Sequence, residues 1–240
     1  MSPRTFLITG ATKGIGRAIS QRLAKAGHHV VGLARNIDEP DFPGTLVSVD
    51  LGDREATDKA LKALVEQYDF DGVVNNVGYV RVAPIDEVDL NDLDDILRIN
   101  LVPTIQTVQA LLPQMRAKGW GRVVNITSLV ALGYANRTSY AAAKAAVNSF
   151  TRTWGLELAE RGITVNAVAP GPTETELFRA NTPEGSEAEQ RFLSVVPMKR
   201  LGKPDELAAT VEFLLSDGAS YITGQTLYVD GGASIGRSAA

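Results

Sequence analysis

Short apolar runs alternate with longer amphipathic stretches along most of the chain. The runs are rich in Val and Ile and predict strands at Thr5–Thr9, Val30–Ala34, Thr45–Val49, Gly72–Asn76, Arg122–Thr127, Thr164–Ala169 and Thr226–Val229. Continuously apolar strands are typical of parallel sheets that are covered on both faces. Helical patterns lie near residues 15–26, 53–68, 89–117, 138–161 and 204–216. The alternation predicts an α/β chain with a doubly wound parallel sheet of about seven strands and helices on both faces.

Two segments depart from this alternation. Residues 36–44, between the second and third strands, contain two prolines and a glycine, which predicts a loop in place of a helix. Residues 173–197, called the lid below, have mixed charge and contain Pro183, Gly185 and Pro197 as breakers. An irregular stretch of this length in a compact domain predicts a mobile cover over a binding site, with plain disorder as the alternative.

Composition narrows the classes of protein and site. The chain has 240 residues, a length that suits one α/β domain, and its net charge of -4 offers no basic field to nucleic acid or to an anionic membrane. It has no cysteine, so disulfides, thiolate catalysis and cysteine-based metal sites are excluded. His28 and His29 are adjacent, and no metal site is expected from them. No signal peptide and no apolar run of ~18 residues is found, so a cytoplasmic protein is expected.

The first strand leads into a glycine-rich turn, Gly10-Ala11-Thr12-Lys13-Gly14-Ile15-Gly16, and then into a helix. Glycines permit a tight turn that brings backbone N–H groups close to a pyrophosphate, and the helix N-terminus favours its negative charge. Three glycines alone are a weak signal. Their place between the first strand and the first helix is the context that dinucleotide binding requires, with a purely structural turn as the alternative.

The residue that ends the second strand indicates which dinucleotide binds. An acidic residue there would bind the ribose 2′-hydroxyl of NAD, but this chain has Arg35. A guanidinium matches a phosphate in bidentate geometry, so Arg35 favours the 2′-phosphate of NADP, and Lys13 adds a second cation. The alternative is two solvated cations, and the acidic Asp38 and Glu39 follow closely. The sequence predicts that NADPH is preferred over NADH.

Tyr140 and Lys144 lie four residues apart in a stretch with a helical pattern, so their side chains share one helix face. A nearby cation favours phenolate over phenol, which predicts that the pKa of Tyr140 falls below its usual ~10. A lowered pKa would suit proton transfer. On spacing alone, two surface neighbours are the commoner outcome.

In their order along the chain, these features resemble the short-chain dehydrogenase/reductase family, from about Thr5 to Gly232. The marks are Thr9-Gly10-xxx-Gly14-Ile15-Gly16, Asp50, Asn75-Asn76-Val77-Gly78, Asn100, Ser128, Tyr140-xxx-Lys144 and Pro170-Gly171. The resemblance implies a single Rossmann-type NAD(P)-binding domain over residues 1–240. It also implies hydride transfer between the nicotinamide and a small molecule.

The resemblance further implies a role for each matched residue. The catalytic residues would be Asn100, which holds a water, Ser128, which polarises the carbonyl, Tyr140, which donates the proton, and Lys144, which binds the ribose. The cofactor would contact Gly10, Thr12, Lys13, Gly14, Ile15, Gly16, Arg35, Asp50, Leu51, Asn76, Val77, Gly78, Tyr140, Lys144, Pro170, Gly171, Thr173 and Thr175. The substrate would contact Ser128, Val130, Tyr140, Leu177 and Phe178, with Leu132, Tyr134 and Phe192 as further apolar residues of the rim and lid. The alternative is that the lid residues only pack on the core.

The predicted reaction is NADPH-dependent reduction of a ketone or aldehyde, with a 3-oxoacyl thioester among the candidates. Oxidation of a secondary alcohol or sugar is the alternative, and a cofactor-sensing protein without catalysis is a remote one. Relatives assemble through the helix that carries Tyr140 and the helix before it, so a homotetramer is expected, which a mass by light scattering tests. Reductases that dock acyl carrier protein use two arginines near the cleft. Arg161 matches one of them and Gly119 stands at the other, so that match is incomplete.

Overall fold

The computed structural model describes residues 3–236, which form one seven-stranded parallel sheet with helices on both faces. The strands are β1 (Thr5–Thr9), β2 (His29–Ala34), β3 (Thr45–Ser48), β4 (Gly72–Asn75), β5 (Gly121–Ile126), β6 (Ile163–Pro170) and β7 (Thr226–Val229). The helices are α1 (Gly14–Lys25), α2 (Arg54–Gln67), α3 (Leu90–Lys118), α4 (Thr138–Leu158), α5 (Glu176–Asn181), α6 (Glu187–Val195) and α7 (Pro204–Leu215). The predicted fold class is confirmed.

The strand order β3-β2-β1-β4-β5-β6-β7 places β1 beside β4, and the chain reverses its direction across the sheet at that point. In open parallel sheets, ligands bind in the crevice at the carboxyl ends of the strands where this reversal occurs. The turns after β1 and β4 are therefore neighbours. The loops after β5 and β6 continue the same edge.

Each face of the sheet has its own apolar core because successive side chains of a strand point to opposite faces. Phe6 and Ile8 of β1 join a cluster with residues of α1 and α7, whereas Leu7 joins a second cluster with residues of α2 and α3. All three side chains are at most 1% exposed. Burial of each such side chain stabilises the fold by about 1.5–3 kcal/mol.

A buried polar network joins the sheet to α3 and α4. Asn75 Nδ2 donates to Asn125 Oδ1 at 2.9 Å between β4 and β5. Thr107 of α3 donates to Asn75 Oδ1 at 2.6 Å, and Asn125 Nδ2 donates to Thr151 Oγ1 of α4 at 2.9 Å. Breaking such a network leaves buried polar groups without partners, so it fixes how α3 and α4 lie on the sheet.

The loop predicted at residues 36–44 is confirmed, and it is packed against the domain. Phe42 packs against the core cluster on the α1 face. Arg17 of α1 forms an ion pair with Glu39, with Nη1 and Oε2 2.9 Å apart. The loop therefore has fixed contacts although it contains no helix.

The lid is more regular than the sequence predicts, because it contains the short helices α5 and α6. Thr175 Oγ1 caps α5 by accepting from the N–H of Phe178 at 3.1 Å, and Ser186 caps α6. Arg179 bonds both Glu174 and Glu189 and so joins α5 to α6. Pro183 and Gly185 lie between the two helices. The mobility of the lid stays a prediction.

Apolar residues repeat along α4 at Ala143, Val147, Phe150, Trp154 and Leu158, and most of this stripe packs inside the chain. Ala143, Val147 and Leu158 are at most 3% exposed, whereas Leu156 on the same helix is 84% exposed. The tetramer stays a prediction.

Within residues 3–236, no helix has both the length and the apolar character that a membrane crossing needs.

His28, immediately before β2, lies where a positive charge is disfavoured. Its Nδ1 accepts from the N–H of Arg4 at 3.2 Å, and its ring packs edge-on against Phe6 with centroids 5.3 Å apart. Burial, followed by the charge of Arg4, lowers the pKa of His28 below its usual ~6.5, and the carboxylates of Glu212 and Asp71 oppose this effect. The folded protein therefore favours neutral His28.

The free energy of unfolding should fall as the pH drops below ~6.5, because the unfolded chain protonates His28 more readily than the folded chain does. The stability that neutral His28 contributes is complete at pH values above the pKa of His28 in the unfolded chain. It shrinks as the pH falls toward the lower pKa of His28 in the folded chain. Urea unfolding between about pH 7.5 and pH 5 measures this loss. His28→Gln should reduce it, whereas His29→Gln, at an exposed position, should keep it. The same pH dependence in wild type and His28→Gln would contradict this account.

Candidate active site

The glycine turn after β1 has the conformation that a phosphate-binding loop needs. Gly10 and Gly14 have φ angles of 64° and 51°, in the left-handed region that favours glycine. A Cβ at Gly16 would lie 2.1 Å from Gly10 O, so only glycine fits there. The α1 helix begins at Gly14, and its N-cap residue is Lys13. Within residues 3–236, no side chain caps this end of the helix. Its first N–H groups are thus suited to an anion.

The turn after β4 is hydrogen-bonded to the glycine turn. Asn76 Nδ2 donates to Thr9 O at 3.0 Å and to Gly10 O at 3.1 Å. The backbone N–H groups of Asn76 and Val77 both donate to Thr9 Oγ1, at 2.9 and 3.0 Å. Thr9, which the sequence interpretation did not assign to the site, therefore links the two predicted cofactor segments. Thr12 and Ile15 are half-buried in the same turn.

The two predicted phosphate-binding cations are exposed at the ends of neighbouring elements. Arg35 follows β2, and Lys13 precedes α1. The N–H of Gly10 donates to Leu33 O at 2.8 Å, so the glycine turn adjoins the end of β2. Within residues 3–236, neither cationic side chain forms an ion pair or a hydrogen bond, whereas the nearby Glu39 is paired with Arg17. Both cations are thus available to an anionic ligand.

Asp50 and Leu51 follow β3, on the predicted adenine side. The exposed Asp50 accepts the N–H of Gly52 through Oδ1 at 2.9 Å, and Leu51 is 5% exposed. The Oδ1 bond fixes a tight turn. It leaves the second carboxylate oxygen for another donor.

Lys144 lies in the interior, next to Tyr140 on α4. Its side chain is 3% exposed, and Nζ donates to Ile126 O at the end of β5 at 3.0 Å. Nζ is 5.6 Å from the centroid of the Tyr140 ring, which confirms the shared helix face. Tyr140 is half-buried, and Ser128, in the loop after β5, is close enough to its hydroxyl to affect the pKa of Tyr140. The structure therefore brings Ser128, Tyr140 and Lys144 together.

The sequence predicts that the pKa of Tyr140 is lowered, and that prediction is wrong. Burial raises the pKa of Tyr140 to about 12, although the polar side chain of Ser128 and the charge of Arg137 act in the opposite direction. Burial also lowers the pKa of Lys144 to about 8. The loss of hydration disfavours the charged form of each group, and that cost outweighs the attraction that their spacing offers. At neutral pH, Tyr140 is a phenol and Lys144 is mostly an ammonium.

Asn100, in the middle of α3, faces the same space. Its Nδ2 donates to Ile96 O at 2.8 Å and to Tyr79 O at 2.9 Å. Its Oδ1 is buried, and within residues 3–236 it has no partner. A Cβ at Gly78 would lie 3.3 Å from both Asn100 Oδ1 and Lys144 Nζ. Asn100 Oδ1 and Lys144 Nζ thus border one small space. A buried oxygen without a partner is unfavourable, so Asn100 Oδ1 is expected to accept a hydrogen bond from a bound molecule.

The predicted nicotinamide side lies at the end of β6. Pro170 pairs with Val229 of β7, and Thr173 Oγ1 donates to Gly171 O at 2.9 Å. Thr175 lies beside the glycine turn, because a Cβ at Gly14 would lie 3.2 Å from Thr175 Cγ2. The structure thus brings the base of the lid to the phosphate loop.

The predicted substrate residues lie on the loop after β5 and on the lid. Val130 is half-buried in the short turn that follows Ser128. Leu177 is 67% exposed, and the half-buried Phe178 packs edge-on against Phe192 with centroids 5.3 Å apart. The rim residues Leu132 and Tyr134 are exposed.

The predicted site residues therefore line one edge of the sheet, and that edge suits a dinucleotide. It offers a helix N-terminus without a side-chain cap, two cations and the buried oxygen of Asn100. Arg137, whose charge reaches Tyr140, is a further residue of this edge. The signal that could have revealed it is its position, three residues before Tyr140.

Comparisons with known proteins agree with this geometry. A family model described as enoyl-(acyl carrier protein) reductase matches residues 10–234. The 3-oxoacyl-[acyl-carrier-protein] reductase of Vibrio cholerae is 38% identical over 238 residues, which cover 95% of this chain and 96% of that protein.

Solved structures are similar over nearly the whole chain. A protein assigned as an NAD(P)-dependent gluconate 5-dehydrogenase from Beutenbergia cavernae, with NADP bound at low occupancy, has a TM-score of 0.90 and 35% identity over 97% of both chains. A protein assigned as a 2-deoxy-d-gluconate 3-dehydrogenase from Agrobacterium tumefaciens, with bound NADP, has a TM-score of 0.89 and 34% identity, again over 97% of both chains. The family match and the shared fold show that this chain is an oxidoreductase of the short-chain dehydrogenase/reductase family.

Proposed function

We propose that the protein uses NADPH to reduce a ketone or an aldehyde to an alcohol. The observation that carries the proposal is the placement of Tyr140 beside the buried Lys144 on one helix face, with Ser128 next to the Tyr140 hydroxyl. With its pKa raised to about 12, Tyr140 keeps its proton at neutral pH and is a donor for a carbonyl oxygen.

The side chains have distinct tasks in this reaction. The nicotinamide supplies the hydride when NADPH is bound. The hydroxyls of Ser128 and Tyr140 donate hydrogen bonds to the carbonyl oxygen, where negative charge develops, and Tyr140 then gives up its proton. The ammonium of Lys144 stabilises the phenolate that remains. Asn100 Oδ1 accepts from a water that links Lys144 to solvent and allows the proton to be replaced.

The choice of NADP rests on the charges at the end of β2. Arg35 and Lys13 are exposed cations. Of the two acidic residues that follow Arg35 closely, Glu39 is engaged by Arg17, whereas Asp38 is exposed and forms no ion pair within residues 3–236. The relatives from Beutenbergia cavernae and Agrobacterium tumefaciens have bound NADP. Both observations favour a 2′-phosphate at Arg35.

The names of the relatives favour two substrate classes. The Vibrio cholerae relative is a 3-oxoacyl-[acyl-carrier-protein] reductase, whereas both structural relatives are assigned as dehydrogenases of sugar acids. Gly119 is the left-handed C-cap of α3, with φ of 61°, so an arginine there would be strained. The chain therefore has only Arg161 of the two arginines that bind acyl carrier protein in those reductases. We favour a small-molecule substrate, and rates in both directions at one pH would separate reduction from oxidation of a secondary alcohol or sugar.

Tyr140→Phe should lower kcat by roughly 10²- to 10⁴-fold, because it removes the proton donor and leaves the fold intact. The affinity for NADPH should change little. Loss of NADPH absorbance with a carbonyl substrate gives kcat, and quenching of protein fluorescence gives the affinity. Tyr221→Phe, which removes a hydroxyl from a fully exposed ring, is the matched control. Full activity of Tyr140→Phe would refute the assignment.

Arg35→Gln should raise KM for NADPH by roughly 10- to 100-fold and leave KM for NADH within about threefold, because only NADPH carries the 2′-phosphate. Steady-state kinetics with each nucleotide measure the two values. Lys62→Gln, at an exposed cation of α2 paired with Asp58, controls for general charge effects. Equal kcat/KM for NADPH and NADH in the wild type would contradict the proposed preference.

A further inference from the structure

Arg137 places a positive charge beside the catalytic hydroxyl. It is the N-cap residue of α4 and precedes Tyr140 by three residues, about one helical turn. Its charge is close enough to favour the phenolate form of Tyr140 against the effect of burial. A bound carbonyl that accepts from Tyr140 would therefore have a cation within reach of its substituents.

The guanidinium of Arg137 has no partner within the part of the chain that the structure describes. It is half-buried, and none of residues 3–236 forms an ion pair or a side-chain hydrogen bond with it. Arg81, on the neighbouring loop, differs because its Nε lies 3.7 Å from Asp92 and its side chain is 59% exposed. A half-buried cation without a counter-ion has lost part of its favourable hydration and has gained no ion pair in return. An anionic ligand would supply that ion pair.

The position of Arg137 also opposes the local rules of helix stability. N-cap positions favour Ser, Thr, Asp or Asn, whose oxygens accept from free N–H groups. Arginine has no acceptor and adds a positive charge to the positive end of the helix dipole. In the described residues, no side-chain cap is present at this end of α4. A residue that breaks a local rule without a compensating contact is typical of a functional position.

The backbone holds Arg137 in a defined place. Asn136 has a φ of 61°, a left-handed conformation that asparagine tolerates better than most residues. Its carbonyl accepts from the N–H of Ala83 at 3.2 Å, and Ala83 forms an isolated parallel bridge with Arg137. The loop after β4 therefore fixes the segment that presents the guanidinium, which is what preorganised recognition requires.

We infer that the substrate is an oxo acid and that Arg137 binds its carboxylate while Ser128 and Tyr140 bind the carbonyl oxygen. The planar guanidinium matches a carboxylate in bidentate geometry, and the two binding points would orient the carbonyl carbon for hydride transfer. The inference deepens the proposed function and rests on it, because it concerns the substrate of the same site. It disfavours a 3-oxoacyl thioester, which has no carboxylate.

The test compares short oxo acids that differ in the separation of carbonyl and carboxylate, each beside its methyl ester, with NADPH consumption as the readout. The wild type should have a kcat/KM at least about 10-fold higher for the preferred acid than for its ester. Arg137→Gln should raise KM for that acid by roughly 10- to 100-fold and leave the ester within about threefold. Arg137→Lys should recover part of the loss because it keeps the charge.

Arg81→Gln is the matched control, because it removes the same charge from a guanidinium that already has Asp92 as its partner. It should leave acid and ester kinetics unchanged. Thermal unfolding should show Arg137→Gln to be at least as stable as wild type, because the change relieves the helix N-terminus.

The outcomes separate this inference from the proposed function. A panel of other ketones and aldehydes is assayed alongside. If the wild type reduces some of these but neither the oxo acids nor their esters, the proposed function stands and the inference is overturned; if it binds NADPH and reduces no carbonyl compound at all, both fail. If it reduces esters as efficiently as acids, the proposed function stands and the assignment of Arg137 is overturned. Equal losses for acid and ester in Arg137→Gln would likewise overturn it, since they would show a role in positioning Tyr140.

Discussion

The burial of Lys144 is the constraint on which the arrangement of the site depends. An ammonium that is 3% exposed must have hydrogen-bond acceptors supplied by the fold. Ile126 O at the end of β5 is one such acceptor, and Asn100 Oδ1 borders the same space across Gly78. These residues come from the central strands and from two helices. The sheet, α3 and α4 must therefore be correctly placed before the lysine can be buried at low cost.

The polar network beneath the site explains how that placement is kept. Thr107 on α3 and Thr151 on α4 bond the amides of Asn75 and Asn125, which themselves pair across β4 and β5. Asn100 is on the same helix as Thr107, and Lys144 is on the same helix as Thr151. A buried amide that loses its partner costs about 1–3 kcal/mol, so a shift of either helix is opposed.

Much of the fold was predictable because its signals are local. Val- and Ile-rich runs predicted the strands, and Pro40 and Pro43 predicted the loop between β2 and β3. The helices α5 and α6 were missed because they have six and nine residues and are separated by breakers. Their stability depends on caps and on the contacts of Arg179, which no periodic pattern records.

Motif order predicted that Ser128, Tyr140 and Lys144 lie close together, as they do in the structure, but it did not predict the pKa values of Tyr140 and Lys144. Spacing shows that Tyr140 and Lys144 are neighbours, yet it does not show how far both are removed from water. Hydration decides the direction of the pKa, which only the packed structure reveals. Arg137 was missed for a related reason, because its lack of a partner is a property of the folded surroundings.

The ionisation of Tyr140 tests most directly the central claim, that burial keeps Tyr140, the proposed proton donor, protonated. The protein has six tyrosines, so tyrosinate absorbance is measured against pH for wild type and for Tyr140→Phe without added nucleotide, and the two curves are subtracted. With a pKa of about 12, Tyr140 should contribute no tyrosinate at pH values up to ~10, the ordinary pKa of tyrosine. A tyrosinate with a midpoint near pH ~7, lost in Tyr140→Phe, would contradict the account and show that attraction to Lys144 outweighs burial.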